Sequence, residues 1–211
     1  MINLYGYPQT RSRRITWMLE ETGAEYEFKL VDFNKGESQS DWFLAINPAG
    51  KVPAMQDGDL LLTESAAIIN YIGDKHPESG LVPAAGTADR GLYDQWCYFA
   101  MTELEQPLWT QGKHRFALPK EHRVPEIMET ASWEFQKALK LLDQGLGKNN
   151  CILGDKFTAA DILLTHTLIW GINFKNEVKQ ENLLAYVERH RGREALARAI
   201  EREEAALPQE S

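Results

Sequence analysis

Asn47-Pro-Ala-Gly-Lys-Val-Pro-Ala-Met-Gln-Asp-Gly-Asp-Leu-Leu-Leu-Thr-Glu-Ser-Ala-Ala-Ile68 is the stretch that decides how this chain folds. A turn leads into Val52-Pro53. Two short apolar runs, 52–56 and 60–63, read as strands joined by a turn at Asp57-Gly58-Asp59. The second run enters Glu64-Ser65, and Ala66, Ile69, Tyr71 and Ile72 then fit a helix. Proline cannot donate to a sheet ladder, so Pro53 belongs at a strand edge or a bulge. Its cis form lies only about 0.5–1 kcal/mol above trans. A cis bond would turn the N–H and C=O of Val52 outward, where an extended peptide can pair as an added strand. Glu64-Ser65 has a plain reading as helix capping, with Ser as N-cap and a carboxylate complementing the dipole. It also has a binding reading. Helix N-termini hold anions, so the Ser65 N–H and hydroxyl suit a carboxylate while Glu64 suits an adjacent ammonium. Exposed backbone beside a proline and a helix start aimed at the same place fit a small peptide that carries a carboxylate.

The flanking sequence extends this into a small mixed sheet. Residues 2–5 read as a strand and Pro8 to Arg11 as a loop. From Ser12, Ile15, Met18 and Leu19 recur at helical spacing, and Gly23 closes the helix as a C-cap. Tyr26, Phe28 and Leu30 alternate with charged residues, a second strand. The order βαβ followed by ββα predicts a sheet with helices on its faces. His76 to Thr87 is rich in Pro, Gly and small residues, a linker. Beyond it the pattern is helical, over 88–111, about 123–145, 158–171, 182–190 and 193–205, with a frayed tail from Leu207 to Ser211. Trp96, Phe99, Trp109 and Phe116 read mostly as core, with one or two lining a pocket; Tyr7 and Met101 are equal candidates for that wall. In Phe157-Thr-Ala-Ala-Asp-Ile162, Thr158 caps the N–H of Asp161, Asp161 reaches back, and Phe157 and Ile162 form a staple.

Composition narrows the function. With 211 residues, 43% of them hydrophobic, the chain can bury one large core or two modest ones. A net charge of -8 disfavours nucleic acid, which calls for a basic face. No apolar run reaches the roughly 18 residues of a membrane span, and Met1 to Tyr5 reads as a strand rather than a secretion signal. Cys97 and Cys151 are expected as free thiols in a reducing cytoplasm. No spacing of His, Cys and carboxylates suggests a metal site, and His114 and His122 receive no role.

These motifs resemble the glutathione transferase family. The likeness runs from Tyr5-Gly-Tyr-Pro-Gln-Thr-Arg-Ser-Arg-Arg-Ile15, through Lys35-Gly-Glu-Ser-Gln-Ser-Asp-Trp-Phe43 with Asn47-Pro48, to Val52-Pro53, Glu64-Ser65 and the capping box. It is strongest with the theta-like and related bacterial classes of the serine/threonine type. The resemblance implies an α/β fold: a thioredoxin-like glutathione-binding domain over 1–76, a linker over 77–87, and an all-α domain over 88–211. That second domain would form the electrophile pocket and the homodimer interface, with Tyr93, Trp96 and Met101 as interface candidates. Glutathione would be the co-substrate, without a metal, held by Lys51, Val52, Pro53, Glu64 and Ser65. Ser38 and Gln39 would touch its glycine end.

A glutathione transferase must stabilise a thiolate. A free thiol of pKa about 8.5 is only a few per cent ionised at neutral pH. A hydroxyl donor and a helix N-terminus both favour the charged form. The serine-type classes place that hydroxyl in a Pro-x-Ser position, which points to Thr10, with Thr departing from the commoner Ser. Ser12 is the second candidate, although it also suits the N-cap of the first helix, and Tyr5 and Tyr7 follow. A tyrosine-type residue would fall at Gly6. The loop holds no Cys, which disfavours thiol exchange through the protein. Arg11, Arg13 and Arg14 are either a solvated face or a local attraction for the anionic peptide. Two alternatives accompany conjugation: a glutathione-dependent peroxidase, disulfide reductase or isomerase, and a non-catalytic binding module.

Overall fold

The computed structural model describes residues 1–208. The alternation on either side of the first helix becomes a parallel βαβ unit. β1 (Ile2–Gly6) buries every second residue. α1 (Ser12–Thr22) ends on Gly23, whose φ of 68° lets its amide reach the Leu19 carbonyl. β2 (Tyr26–Leu30) then pairs with β1 from Ile2↔Tyr26 to Gly6↔Leu30. Two short 3-10 turns and α2 (Asp41–Leu44) follow. β3 (Ala54–Asp57) runs antiparallel to β1, and β4 (Leu60–Thr63) returns beside it through the Asp57-Gly58-Asp59 turn. α3 (Ser65–Lys75) completes the set, and the sheet order is β2-β1-β3-β4. The third strand starts two residues later than its apolar run, because Pro53 has no N–H for the ladder. The Val52–Pro53 bond is cis. Val31, Phe43, Val52 and Ala54 form one buried cluster, with Tyr5, Tyr7 and Ile46 packed against it.

Contacts divide the chain into two compact units, Met1–Val82 with the segment from Gly192 onward, and Pro83–Arg191. In the second unit α4 (Ala88–Phe99) is capped by Thr87, whose side chain accepts from the Arg90 amide at 3.2 Å. The helix expected over 88–111 is not uniform: a π turn, Ala100–Leu104, joins α4 to α5 (Glu105–Gly112). Pro107 has no N–H for the carbonyl four residues back, and the widened turn precedes it directly. α6 (Ile127–Leu146) starts later than expected because Pro125 biases Val124 away from helical backbone. α7 (Ala159–Asn173) and α8 (Glu181–Arg191) complete this unit. α9 (Glu194–Ala205) belongs to the first unit and packs on α1, which corrects the expectation that the helical domain runs to residue 211.

The capping box at α7 is present in both directions. Asp161 does more than the motif requires. One oxygen accepts from the Thr158 amide (2.8 Å) and hydroxyl (3.1 Å), the other from the Ile152 amide (2.8 Å) and the Tyr186 hydroxyl (2.7 Å). Phe157 packs its ring against His190. The aromatics of the long helices differ from expectation. Trp96, Phe99 and Trp109 are half-buried and Phe116 is 60% exposed, whereas Tyr93, an expected interface residue, is completely buried. Cys97 and Cys151 are buried and not joined in a disulfide, and burial pushes the Cys97 thiol up to about 12. Among the described residues no helix is long and apolar enough to cross a membrane. Leu207 still donates to the Glu204 carbonyl at 3.0 Å; the expected frayed tail otherwise falls outside the described residues.

Candidate active site

One row of the sheet gathers the sequence candidates. Tyr5 pairs with Ala54, and Ala54 pairs with Thr63. The chain therefore leaves β1 for the Tyr7–Arg11 loop, enters β3 from Val52-Pro53, and leaves β4 for Glu64-Ser65, all at the same edge. Thr10, Val52, Pro53, Glu64 and Ser65 thus lie in segments that leave or enter the strands at one end of the sheet, although they span 56 positions of sequence.

The two hydroxyl candidates touch each other. Thr10 Oγ1 donates toward the Tyr7 carbonyl (2.7 Å) and lies 2.9 Å from Ser12 Oγ. It also accepts from the Ser12 amide at 3.2 Å. Ser12 Oγ accepts from the Tyr7 amide at 3.3 Å. Ser12 is not the N-cap; Arg11 occupies that position and makes no side-chain capping bond. Ser12 is completely buried, whereas Thr10 is partly exposed. Tyr5 and Tyr7 point their hydroxyls elsewhere. Tyr5 donates to Gln56 at 3.1 Å; Tyr7 stacks on Phe33 and accepts from Asn34 at 3.3 Å.

Gly6 explains why Ser12 fits against the strand end. A Cβ there would stand 2.8 Å from Phe28 Cε2, Ser12 Cβ and Ser12 Oγ. The same crowding leaves no room for a tyrosine at that position. Gly6→Ala is expected to destabilise the first unit by about 1–3 kcal/mol through overpacking, read from the urea midpoint.

At the second helix start, Ser65 is buried and its Oγ accepts from Arg14 Nη1 at 3.1 Å. Arg14 itself is completely buried, which corrects the reading of the three arginines as a solvated face. Arg13 is also engaged, with Glu203. Glu64, not Ser65, is the N-cap residue, at φ 66° and ψ 114°. A non-glycine residue holds such backbone only when its surroundings impose it, and such residues cluster at ligand clamps. Its side chain is exposed. On the other flank, Asn47 shapes the approach to Val52. Its side chain donates to the Lys51 carbonyl (2.6 Å) and accepts from the Ala49 amide (3.1 Å). Gly50, at φ 62°, lies so close to Gln39 that a Cβ would meet its Nε2 at 2.3 Å. Gln39 and Ser38 thus border the Lys51–Pro53 turn.

Other polar groups belong to the scaffold. His114 Nδ1 accepts from the Val124 amide at 2.9 Å. Cys151, Asp161 and His190 place ligand-type atoms within 4.8 Å of one another. The oxygens of Asp161, however, already accept four hydrogen bonds, which fits folding better than metal binding.

Comparisons agree with this geometry. Residues 1–74 match the glutathione S-transferase N-terminal domain, and residues 106–194 match the C-terminal domain of the same family. A probable glutathione S-transferase of Oryza sativa subsp. japonica is 35% identical over 162 residues, 71% of this chain and 70% of the relative. A disulfide-bond oxidoreductase of Escherichia coli (strain K12) is 31% identical over 169 residues, 77% of this chain and 76% of the relative. A sphingomonad glutathione S-transferase solved in complex with glutathione superposes with a TM-score of 0.83 at 30% identity, over 96% of this chain and 98% of that one. The chain belongs to the glutathione S-transferase family, with a thioredoxin-like N-terminal domain followed by a helical C-terminal domain.

Proposed function

We propose that this protein binds glutathione along the Tyr5–Ala54–Thr63 edge and prepares its thiol for attack on a small electrophile. The observation that carries the reading is the convergence of two helix starts and the Val52–Pro53 backbone on that one edge. The γ-glutamyl carboxylate would take the Ser65 amide and hydroxyl, with the buried Arg14 cation behind Ser65 Oγ adding attraction. Glu64 would pair with the ammonium. The Val52 backbone would pair with the cysteinyl amide, and Lys51, Ser38 and Gln39 would border the glycine end.

The thiol then reaches the start of α1. Thr10 turns its hydroxyl from the Tyr7 carbonyl to the sulfur, and the helix dipole adds to the same effect. Lowering a thiol pKa by two units takes about 2.7 kcal/mol of differential interaction, within reach of one charge-assisted hydrogen bond and a dipole. The thiol proton leaves to solvent. The thiolate forms a C–S bond as the leaving group departs from carbon, and proximity supplies further rate. Work on electrophiles in a reducing cytoplasm, as a homodimer with a detoxifying role, is the setting that suits two buried reduced thiols and this family. Thr10 supports the serine/threonine type, and the resemblance over Lys35–Phe43 supports a theta-like class.

Calorimetry and turnover test this. Glutathione is expected to bind, and Ser65→Ala to raise its Kd about tenfold, the worth of roughly one charge-assisted hydrogen bond. Conjugation of chlorodinitrobenzene is expected to exceed reduction of hydroperoxides or hydroxyethyl disulfide. Disulfide reduction is the alternative to exclude, because the Escherichia coli relative carries that name. Absence of binding at millimolar glutathione would leave a scaffold.

A further inference from the structure

We propose that Arg14, on α1, is a positioning residue that fixes the Ser65 hydroxyl as a donor toward the bound carboxylate. This rests on the glutathione reading above and goes beyond the attraction of a buried cation. Arg14 and Ser65 lie 51 positions apart in sequence, on two helices that pack against each other. Both are buried, and Arg14 Nη1 stands 3.1 Å from Ser65 Oγ. A guanidinium has donors and no acceptor, so chemistry fixes the sense of this bond: Arg14 donates and Ser65 accepts. The hydrogen of the hydroxyl cannot turn to Arg14. It is left for an acceptor elsewhere.

The start of α3 supplies the company that hydrogen keeps. Ser65 is the first residue of the helix, where amides have no carbonyl one turn back, and Glu64 makes no side-chain capping bond to them. A ligand group at this end meets N–H and O–H donors together. A carboxylate brings only acceptors and fits; an ammonium or an amide NH₂ in the same place would set donor against donor. Arginine suits the holding role because its donors form a rigid planar fork. A hydroxyl held in one direction before the ligand arrives has less freedom to lose on binding. Lysine at this position would keep the charge but carry it as a point on a flexible stem, so direction and charge can be separated. Arg14 touches no ligand atom; it acts through Ser65.

A double-mutant cycle of Arg14→Lys and Ser65→Ala, read by calorimetry with glutathione, tests the assignment. Arg14→Lys is expected to raise the Kd about three- to tenfold, and no further than Ser65→Ala does, because the effect passes through that hydroxyl. In the Ser65→Ala background the same substitution is expected to change the Kd by less than about twofold. In turnover, the KM for glutathione is expected to rise with the Kd, while kcat at saturating glutathione moves by less than about twofold, since the sulfur end is untouched. A comparable rise in both backgrounds marks a general structural role and overturns the proposal, as does an unchanged Kd for Arg14→Lys when Ser65 is present. Should Arg14→Lys fail to fold, a crystal structure of the wild-type protein with glutathione decides. Ser65 Oγ within about 3.5 Å of both Arg14 Nη1 and the γ-glutamyl carboxylate sustains the assignment; a hydroxyl turned away from either overturns it. Wild-type protein that binds no glutathione overturns the functional reading itself, an outcome seen before any substitution is made.

Discussion

Thr10→Val is expected to reduce kcat for conjugation about 10- to 100-fold at neutral pH, with Thr10→Ser retaining most of the rate. The range follows from the worth of a hydrogen bond to a charged acceptor, about 1.5–3 kcal/mol. Valine keeps the branched shape and removes only the donor. Thr10 is chosen over Ser12 by exposure: it is partly exposed, whereas Ser12 is completely buried against Gly6 and the Tyr7 amide. Ser12→Ala is expected to cost stability more than rate, because it leaves the Tyr7 amide without its acceptor. The thiolate absorbance of bound glutathione, titrated for wild type and each variant, separates the two. If Ser12→Ala abolishes the thiolate and Thr10→Val leaves it intact, the roles are reversed.

Asp161→Ala is the second large expected effect, and it falls on stability. Four donors, from Ile152, Thr158 twice and Tyr186, would lose their acceptor in a fully buried place. Each abandoned buried donor costs about 1–3 kcal/mol, so a loss of at least about 4 kcal/mol is expected even after relaxation. Urea unfolding of the purified protein, or its failure to accumulate in soluble form, reads this directly. Asp161→Asn is expected to recover only part, since its NH₂ would face donors. A loss below about 1 kcal/mol would mean the cluster tolerates water in place of the carboxylate.

The features legible in the sequence are those governed by neighbours in the chain. Tyr26, Phe28 and Leu30 alternate, Asp57-Gly58-Asp59 turns, Gly23 ends a helix, and Thr158 with Asp161 starts one; each is a local rule that the fold leaves intact. The cis form that the sequence left open at Val52-Pro53 is present, and Glu64-Ser65 opens α3 as expected, with Glu64 rather than Ser65 at the N-cap. What escaped was decided by partners far away. Arg14 stands four residues before Met18, on the buried stripe of α1, and Glu203 follows Ala195, Leu196 and Ala199 on the buried stripe of α9. Helical spacing places both inward, but residue type argued for solvent. A charged residue on an apolar stripe is itself a signal that a partner waits, and the partners, Ser65 and Arg13, lie 51 and 190 positions off. The π turn before Pro107 was hidden for another reason: the apolar period continues across it.

The chain's final helix finishes its first unit. Residues 1–82 emerge from the ribosome long before Gly192, and α9 joins them only after about 110 more residues are made. At roughly 5–20 residues per second that interval is on the order of ten seconds. Through it the flank of α1 carrying Arg13 and Thr16 stands uncovered. A fragment cut after Val82 should therefore lack the helix that covers this flank, and its soluble yield should fall below that of the whole chain.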